Sequence, residues 1–196
     1  YDVTVAGEAN HAGSTAMADR KDALVAAAGF INKVPEIVKE YGNEFTVATV
    51  GTIKVTPHSV NVIPGTCTFS LEIRDQSAEV MKLIENHLRQ LLEDICKKYG
   101  VTSTFVPTSY HDPAPMSELV RGTIEEAVKE LGIDYTVIPS GAFHDSLIMT
   151  SVFPTGMIFV PSKDGISHSR YEYTAPEDIE NGCNVLLNTV LKLDEK

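Results

Sequence analysis

The sequence predicts an α/β (α+β) protein in which a ferredoxin-like unit is followed by part of a second α/β layer. Two observations predict this. In the first 110 residues, segments with strand and helix periodicity follow the order strand, helix, strand, strand, helix, strand, as in a βαββαβ unit on a four-stranded antiparallel sheet. After the linker Asp112-Pro113-Ala114-Pro115, helical and strand-type segments alternate. We therefore expect domains at residues 1–113 and 114–196.

The first unit opens with a short strand, Val3 to Ala6. A helix is expected from Asp19 to Tyr41, because apolar residues recur there at helical spacing. Pro35 should kink or break this helix, and Gly42 should end it.

Two strands should follow, Phe45 to Val55 and Thr66 to Arg74, separated by the turn Val62 to Gly65. Alternation in the second strand directs one set of side chains to the core, namely Cys67, Phe69, Leu71 and Ile73. A second helix is expected from Ala78 to Tyr99, with Gly100 at its end. Its apolar stripe is Val80, Leu83, Ile84, His87, Leu88, Leu91, Leu92 and Ile95. Val101 to Ser109 completes the unit as a strand.

Three helices are expected beyond the linker. Ser117 caps a helix that runs to Leu131 and ends at Gly132, and residues 144–152 favour a short helix. Pro176 opens the last helix. The apolar residues of this helix expected to face inward are Ile179, Val185, Leu186, Val190 and Leu193.

Tyr135 to Pro139 and Thr155 to Val160 have the composition of strands, which predicts a parallel sheet with the flanking helices. Two strands make an incomplete sheet of this class, since five or six are usual. We expect the missing strands to lie before Tyr1, and the chain to be a piece of a longer protein.

Composition excludes several classes of function. The formal net charge of −11 argues against a nucleic-acid partner, because phosphate binding needs clustered Lys and Arg. No apolar run approaches the roughly 20 residues of a membrane span. Cys67, Cys96 and Cys183 are few and widely spaced, and the first two lie in apolar patterns as buried thiols. This cysteine usage favours a reducing, cytoplasmic compartment.

Two histidines lie on loops suited to chemistry. His168 follows an apolar run and Pro161, where an imidazole can bind a metal or act on a substrate. His11 lies between small residues in the segment Gly7 to Ser14, so that a ligand could approach the backbone closely. The alternative for His11 is a Gly-rich turn with a solvated imidazole, and local sequence alone favours this alternative.

Two further groups could bind an anion. Asn61 and Arg74 carry an amide and a planar guanidinium that suit a carboxylate, although a surface ion pair of Arg74 with Asp75 or Glu72 is the more common arrangement. Gly141 and Ala142 precede a predicted helix, where backbone N–H groups favour anions. The alternative is that Ser140 or Asp145 simply caps that helix.

Five motifs together resemble one family. They are Gly-x-Ala-Asn-His-Ala-Gly, Asn-Val-Ile-Pro-Gly, Phe-Ser-Leu-Glu-Ile-Arg, Ser-Gly-Ala-x-His-Asp and Met-Ile-Phe-Val-Pro-Ser-x-x-Gly-x-Ser-His, in this order along nearly the whole chain. The series is similar to the hydantoinase/carbamoylase branch of the aminoacylase and carboxypeptidase G-type metallopeptidases, which includes N-carbamoyl-L-amino acid hydrolases, beta-ureidopropionases and allantoate amidohydrolases.

The resemblance implies a metal-dependent amidohydrolase of N-carbamoyl or N-acyl amino acids or of allantoate-like ureides. It implies that residues 1–113 are a lid that also forms a homodimer, and that the remainder is the final part of the catalytic domain. His168 corresponds to a metal ligand. His11 corresponds to a lid histidine that stabilises an oxyanion in the partner subunit's site. Asn61, Arg74, Gly141 and Ala142 correspond to the clamp for the substrate carboxylate.

The resemblance also implies two divalent ions, zinc, manganese or cobalt, whose other ligands belong to sequence before the lid. Since catalytic zinc needs three protein ligands, we expect this chain alone to be inactive. The alternative is a non-enzymatic dimerisation or amino-acid-binding module. Phe143 replaces a usual glycine and Ser169-Arg170 departs from the family pattern, so the substrate stays open, as do the roles of His144 and Asp145.

Overall fold

The first unit of the computed structural model, which describes residues 1–195, extends from Tyr1 to Pro113 and has two α-helices with four consecutive strands between them. The elements of this unit are β1 (Asp2–Ala6), α1 (Ala23–Tyr41), β2 (Val47–Thr49), β3 (Ile53–Thr56), β4 (Thr66–Ser70), β5 (Glu72–Arg74), α2 (Ala78–Tyr99) and β6 (Thr102–Val106). A second unit begins at Ala114 and contains α3 (Glu118–Leu131), α4 (Asp145–Met149) and α5 (Pro176–Asp194).

The main sheet of the first unit has the strand order β3-β4-β1-β6, with every neighbouring pair antiparallel. β1 lies inside the sheet, where Asp2 pairs with Ser70 and Val106, and Ala6 pairs with Thr66 and Thr102. The predicted mixture of helices with an antiparallel sheet is confirmed. The more specific ferredoxin-like arrangement stays a prediction.

Each of the two long strands predicted between residues 45 and 74 is divided. The expected Phe45–Val55 strand forms β2 and β3, and the expected Thr66–Arg74 strand forms β4 and β5, so that β2 and β5 make a separate two-stranded sheet. The division falls at Ser70, whose N–H group donates to the Thr52 carbonyl at 3.2 Å. The Ser70 hydroxyl accepts hydrogen bonds from the backbone N–H groups of Gly51 at 3.3 Å and Thr52 at 3.0 Å.

Helix α1 starts later than predicted. The Asp22 carboxylate accepts hydrogen bonds from the N–H groups of Leu24 at 2.9 Å and Val25 at 3.1 Å, which fixes the first turn at Ala23 rather than at Asp19. The expected break at Pro35 is wrong, because the helix continues to Tyr41. Burial of the helix face against the sheet outweighs the loss of one backbone donor.

Helix α2 has the predicted bounds. The Ser77 hydroxyl accepts a hydrogen bond from the Val80 N–H group, and Gly100 ends the helix with a left-handed φ of 63°. Leu83 was expected in the apolar stripe, but its side chain is exposed. The core between the helices and the sheet consists of Val3, Val5, Ala23, Ala26, Ala27, Phe30, Val34, Cys67, Phe69, Leu71, Ile84, Leu88, Leu92, Cys96 and Val101.

The helices α1 and α2 cover one face of the main sheet, and the opposite face is rich in hydroxyl groups. By strand alternation this opposite face carries Thr4, Thr56, Thr66, Thr68, Ser70, Thr102 and Thr104. All of these residues are half-buried or exposed. The hydroxyl groups of Thr4 and Thr68 lie 3.0 Å apart and form a cross-strand hydrogen bond.

The helices of the second unit confirm the capping signals of the sequence. Ser117 caps α3, Gly132 ends it with a φ of 65°, and Pro176 occupies the first turn of α5. The inward stripe predicted for α5 is wrong in part. Val185 is buried, whereas three other expected core residues are exposed, namely Ile179, Leu186 and Val190.

The two strands predicted in the second unit are absent from the described part of the chain. Residues 135–139 and 155–160 have no regular structure, and the expected parallel sheet does not form there. A strand needs a hydrogen-bonded partner, and these two segments do not pair with each other. Val137 and Ile138 are exposed as a result. Among residues 1–195, no helix is both long and apolar enough to cross a membrane.

A buried acid joins α2 to the sheet. Glu85 accepts hydrogen bonds from Lys82 and Arg89, each at 2.8 Å, and Arg89 also donates to the Phe105 carbonyl at 3.1 Å and lies over its ring. Burial alone would raise the pKa of Glu85, but the hydrogen bonds from Lys82, Arg89 and Tyr1 lower this pKa below its ordinary value of 4.5. Burial and the nearby Glu85 raise the pKa of Tyr1 to about 12.

Substitution of Glu85 tests this cluster through pH. A carboxylate with a lowered folded pKa stabilises the protein above its unfolded pKa, and this stabilisation disappears as the pH falls through the folded pKa. We expect Glu85→Gln to lower the free energy of unfolding at neutral pH and to lose less stability than the parent between neutral pH and about pH 3. The measurement is denaturation followed through NMR signals of β1 amides. Glu93→Gln, at an exposed position of the same helix, should follow the parent curve, and parallel curves for Glu85→Gln and the parent would contradict the assignment.

A matched pair of leucines on α2 tests the core. Leu88 is 0% exposed and Leu83 is 43% exposed. We expect Leu88→Ala to reduce the free energy of unfolding of the first unit by about 3 kcal/mol, through lost burial and a cavity, and Leu83→Ala to reduce it by less than about 1 kcal/mol. Urea titration monitored at the Val3 and Val5 amides measures both changes. Equal losses would show that the helix face has been assigned wrongly.

Candidate functional site

The segment Gly7–Thr15, which we call the His11 loop, leaves the end of β1 and lies against the loop that precedes β4. The Ile63 N–H group donates to the Asn10 carbonyl at 2.8 Å, and the Ala12 N–H group donates to the Asn61 carbonyl at 2.9 Å. His11 and Val62 form an isolated antiparallel bridge between them. The structure therefore brings two of the predicted site residues, His11 and Asn61, to the same end of the sheet.

Glycine is required where the His11 loop passes its neighbours. The Gly7 N–H group donates to the Gly65 carbonyl at 2.8 Å, and the Glu8 N–H group donates to the Lys21 carbonyl at 2.9 Å. A Cβ atom on Gly7 would lie 1.9 Å from the Lys21 carbonyl oxygen, and one on Gly65 would lie 3.0 Å from the Cβ of Ala9. The small residues that suggested close approach by a ligand thus serve close approach by the protein's own backbone.

The protonation of the neutral His11 ring follows from its neighbour. The Gly13 N–H group donates to His11 Nδ1 at 3.1 Å. A backbone N–H group is always a donor, so Nδ1 accepts and the proton of the neutral imidazole resides on Nε2. His11 is exposed, and its Nε2–H group can donate a hydrogen bond to a ligand oxygen. This is the arrangement of an electrophilic group rather than of a general base.

Arg20 is a contact residue of this loop that the sequence analysis missed. Its Nη2 donates to the Ala12 carbonyl at 2.5 Å, and its Nε donates to the Thr15 carbonyl at 3.2 Å. The predicted start of α1 at Asp19 would have placed Arg20 inside the helix. The N-cap at Asp22 was the signal that could have shown Arg20 to be extended and able to reach the loop.

The two expected carboxylate-binding residues of the first unit are both engaged. Asn61 is exposed, and its Oδ1 accepts a hydrogen bond from the Ser59 hydroxyl at 2.7 Å, which leaves its amide nitrogen as the donating end. Arg74 Nη2 pairs with Glu72 Oε1 at 2.7 Å. The surface ion pair considered as the alternative for Arg74 is therefore present, and binding of a substrate carboxylate would have to compete with Glu72.

Arg74 and His11 lie at opposite ends of the main sheet. β4 begins beside Ala6, at the end from which the His11 loop leaves, and ends beside Asp2. Arg74 follows beyond this second end, in β5. The five residues of β4 span about 13 Å at the usual rise per residue. The structure therefore does not bring Arg74 together with His11 and Asn61 within one copy of the unit.

In the second unit, His168 lies on an exposed loop whose backbone is fixed. Its φ is 57°, in the left-handed region that few non-glycine residues adopt, and its N–H group donates to Glu172 Oε2 at 2.8 Å. Ser167 Oγ lies 2.8 Å from His168 Nδ1. A metal would therefore bind at Nε2, and an oriented imidazole of this kind fits a single metal ligand. Among residues 1–195, no three His, Cys, Asp or Glu side chains form a group that could hold a metal.

One of the two interpretations of the segment before α4 is wrong, and binding of an anion there stays a prediction. Neither Ser140 nor Asp145 caps the helix, since the N-cap residue is His144 and it makes no side-chain cap. The Ala142 N–H group donates to the Ser140 hydroxyl at 3.3 Å. An anion at Gly141 and Ala142 would have to replace this local hydrogen bond. The ring of His144 instead packs edge-on against Phe159.

An open cavity of about 500 Å³ lies beside the loop that carries His168. Its lining residues are Lys163, Asp164, Ile166, Tyr171 and Tyr173. A hydrogen bond from the Lys163 N–H group to the Tyr173 carbonyl, at 2.8 Å, joins the two ends of this loop. The cavity offers aromatic surface and one charge of each sign to a small ligand.

Comparison with known proteins gives a consistent set of similarities. A profile of "Peptidase family M20/M25/M40" matches residues 3–192. The chain is 40% identical over 190 residues to an N-carbamoyl-L-amino acid amidohydrolase of Geobacillus stearothermophilus, covering 97% of this chain and 46% of the relative. It is 35% identical over 193 residues to an allantoate amidohydrolase of Bacillus subtilis, covering 98% and 47%.

A solved structure extends the similarity to the fold. An amidase of the hydantoinase/carbamoylase family from Burkholderia vietnamiensis superposes with a TM-score of 0.90 and 34% identity, over 97% of this chain and 46% of the other. The chain spans about half the length of the curated relatives it matches.

Substitution of Gly7 tests the packing of the His11 loop. We expect Gly7→Ala to break the hydrogen bond from the Glu8 N–H group to the Lys21 carbonyl, because the added Cβ would overlap that oxygen. Amide hydrogen exchange at Glu8 and Ala12 should then accelerate at least about tenfold, the equivalent of 1.4 kcal/mol of local stability. Gly51→Ala is the control, since its Cβ would meet only the Ser70 hydroxyl at 3.6 Å. Unchanged exchange in Gly7→Ala would show that the loop shifts without cost.

Proposed function

Because the chain belongs to the M20/M25/M40 peptidase family, we propose that it is part of a metal-dependent amidohydrolase that cleaves the amide or ureido bond of N-carbamoyl or N-acyl amino acids or of allantoate-like ureides. Relatives at 40% and 35% identity are named for N-carbamoyl-L-amino acids and for allantoate. Both substrate classes carry a carbonyl group to be attacked and a carboxylate to be held. The cytoplasm is the proposed compartment, in keeping with the unpaired cysteines.

The observation that carries the proposal is the fixed protonation of His11. Hydrolysis of an amide or ureide develops negative charge on the carbonyl oxygen, and a preorganised donor aimed at that oxygen accelerates the reaction. The Gly13 N–H group at Nδ1 keeps the proton of neutral His11 on Nε2. His11 thus acts as a hydrogen-bond donor to the oxyanion, and the Asn61 amide nitrogen at the same end of the sheet supports the substrate.

Metal chemistry completes the proposed site. Two divalent ions, zinc, manganese or cobalt, would supply Lewis-acid activation of the carbonyl and of a water molecule. His168 Nε2 would be the ligand that this chain contributes, and the remaining ligands would come from outside residues 1–195. The groups of this chain proposed for a substrate carboxylate are the Arg74 guanidinium in the first unit and the backbone N–H groups of Gly141 and Ala142 in the second.

We propose a homodimer formed through the first unit, and the sheet geometry supports this proposal. Arg74 and His11 lie at opposite ends of β4, so that one small substrate does not contact both within one copy. Two copies, each giving His11 to the site that contains the other's Arg74, resolve this separation. Exposed apolar residues at the edge strands, including Ile53 and Val106, are available for contact between the copies.

A chimera tests the proposed function. This chain replaces the aligned segment of the Geobacillus stearothermophilus relative, and hydrolysis of N-carbamoyl amino acids and allantoate is measured with added zinc, manganese or cobalt. We expect turnover by the chimera and none by residues 1–196 alone. His11→Ala should lower kcat about 100-fold or more, whereas Arg74→Ala should mainly raise KM.

The controls separate the alternatives. Arg121→Ala removes an exposed arginine of α3 and should leave kcat and KM unchanged. A chimera that binds the substrates without hydrolysing them would support the non-enzymatic amino-acid-binding module instead. Equal amounts of His11→Ala and Arg74→Ala protomers, mixed and reassembled, should recover about a quarter of the parent activity by random pairing, measured at a substrate concentration far below the KM of Arg74→Ala so that neither variant alone is active. No recovery would overturn the shared site.

A further inference from the structure

We infer that Arg20 is a positioning residue that sets the orientation of the Ala12–Gly13 peptide group and, through it, the protonated nitrogen of His11. The inference deepens the proposed function, because His11 is the donor of the proposed site. The orientation of this peptide group is a property of the chain by itself, and it can be tested without measuring turnover.

One peptide group links Arg20 to His11. Arg20 Nη2 donates to the Ala12 carbonyl oxygen, and the N–H group of the same planar peptide unit, that of Gly13, donates to His11 Nδ1. A peptide unit is rigid, so a rotation that turns the oxygen away from Arg20 also turns the N–H group away from the imidazole. The guanidinium therefore holds the donor that fixes the ring.

Charge reinforces this geometry. A cationic donor on a carbonyl oxygen withdraws electron density from the peptide and makes its N–H group a stronger donor, as in other chains of hydrogen bonds. Without Arg20, a hydrogen bond from Gly13 to the imidazole would compete with rotation of the peptide toward water. The neutral ring would then place its proton on either nitrogen, and only one of the two forms presents Nε2–H.

A second contact of Arg20 closes the loop. Its Nε donates to the Thr15 carbonyl at 3.2 Å, while the Thr15 hydroxyl donates to the His11 carbonyl at 2.9 Å. One side chain thus holds two carbonyl groups on either side of the turn after His11. Lysine offers a single ammonium group and cannot reproduce the fork of donors that reaches both oxygens.

The test is NMR of the imidazole nitrogens of the whole chain at about pH 8, where histidine is neutral. His11→Gln identifies the His11 signals among the six histidines. In the parent, we expect a protonated Nε2 and an unprotonated Nδ1. In Arg20→Ala, both nitrogens should move toward the average values of a mixture, and the Gly13 amide should exchange at least about tenfold faster. Arg20→Lys should give an intermediate result.

Lys21→Ala is the matched control. Lys21 neighbours Arg20 and pairs with Glu8 of the same loop at 3.3 Å, without contacting the Ala12 or Thr15 carbonyls. The Lys21→Ala substitution removes one positive charge from the same segment and should leave the NMR signals of the His11 nitrogens unchanged. If Arg20→Ala does not fold, Arg20→Lys decides the question by the same signals. A folded Arg20→Ala or Arg20→Lys protein with parent-like His11 nitrogens and Gly13 exchange overturns the inference.

The outcome is distinguishable from failure of the proposed function. If Arg20→Ala shifts the NMR signals of the His11 nitrogens while the chimera is inactive, the positioning role of Arg20 is supported. The hydrolase proposal is then contradicted. In an active chimera, Arg20→Ala should lower kcat and leave KM within about twofold, since Arg20 contacts neither the carboxylate clamp nor the metal ligand. A loss confined to KM would overturn the role of Arg20 in the reaction.

Discussion

The internal position of β1 is the constraint on which the first unit depends. Its residues pair with β4 on one side and β6 on the other, and Val3 and Val5 are fully buried beneath the helices. A strand held on both edges cannot slip by one residue without turning these side chains to solvent. The chain therefore leaves β1 at a fixed point and direction. The His11 loop begins at that point, so the placement of its imidazole depends on the register of the sheet.

Helix ends were predictable from the sequence, whereas the limits of the strands were not. Ser77 with Gly100 and Ser117 with Gly132 mark α2 and α3, because capping is a local hydrogen bond between near neighbours. The division of the long strands falls where the Ser70 hydroxyl contacts N–H groups some 18 residues away. Propensity and periodicity carry no information on such a contact.

The candidate site likewise contains residues that the sequence predicts and one residue that it does not. His11, Asn61 and His168 were predicted from loops, histidines and motif order, and their functional roles stay predictions. Arg20 could not be found in this way, since its contacts depend on a helix that starts four residues later than predicted. The strand-like segments at residues 135–139 and 155–160 were predicted from composition alone. Pairing partners, which composition does not supply, decide whether such segments become strands.

The hydroxyl-rich face of the main sheet has a consequence for whatever it meets. An apolar surface laid on it would strip water from a row of threonine and serine side chains, at a cost of about 1–3 kcal/mol for each hydroxyl group that has no partner within the sheet. A polar surface could exchange those waters one for one, with little change in free energy. We therefore expect contacts on this face to be hydrated and readily reversed. An element that repeatedly opens and closes needs a surface of this kind, and a permanent interface does not.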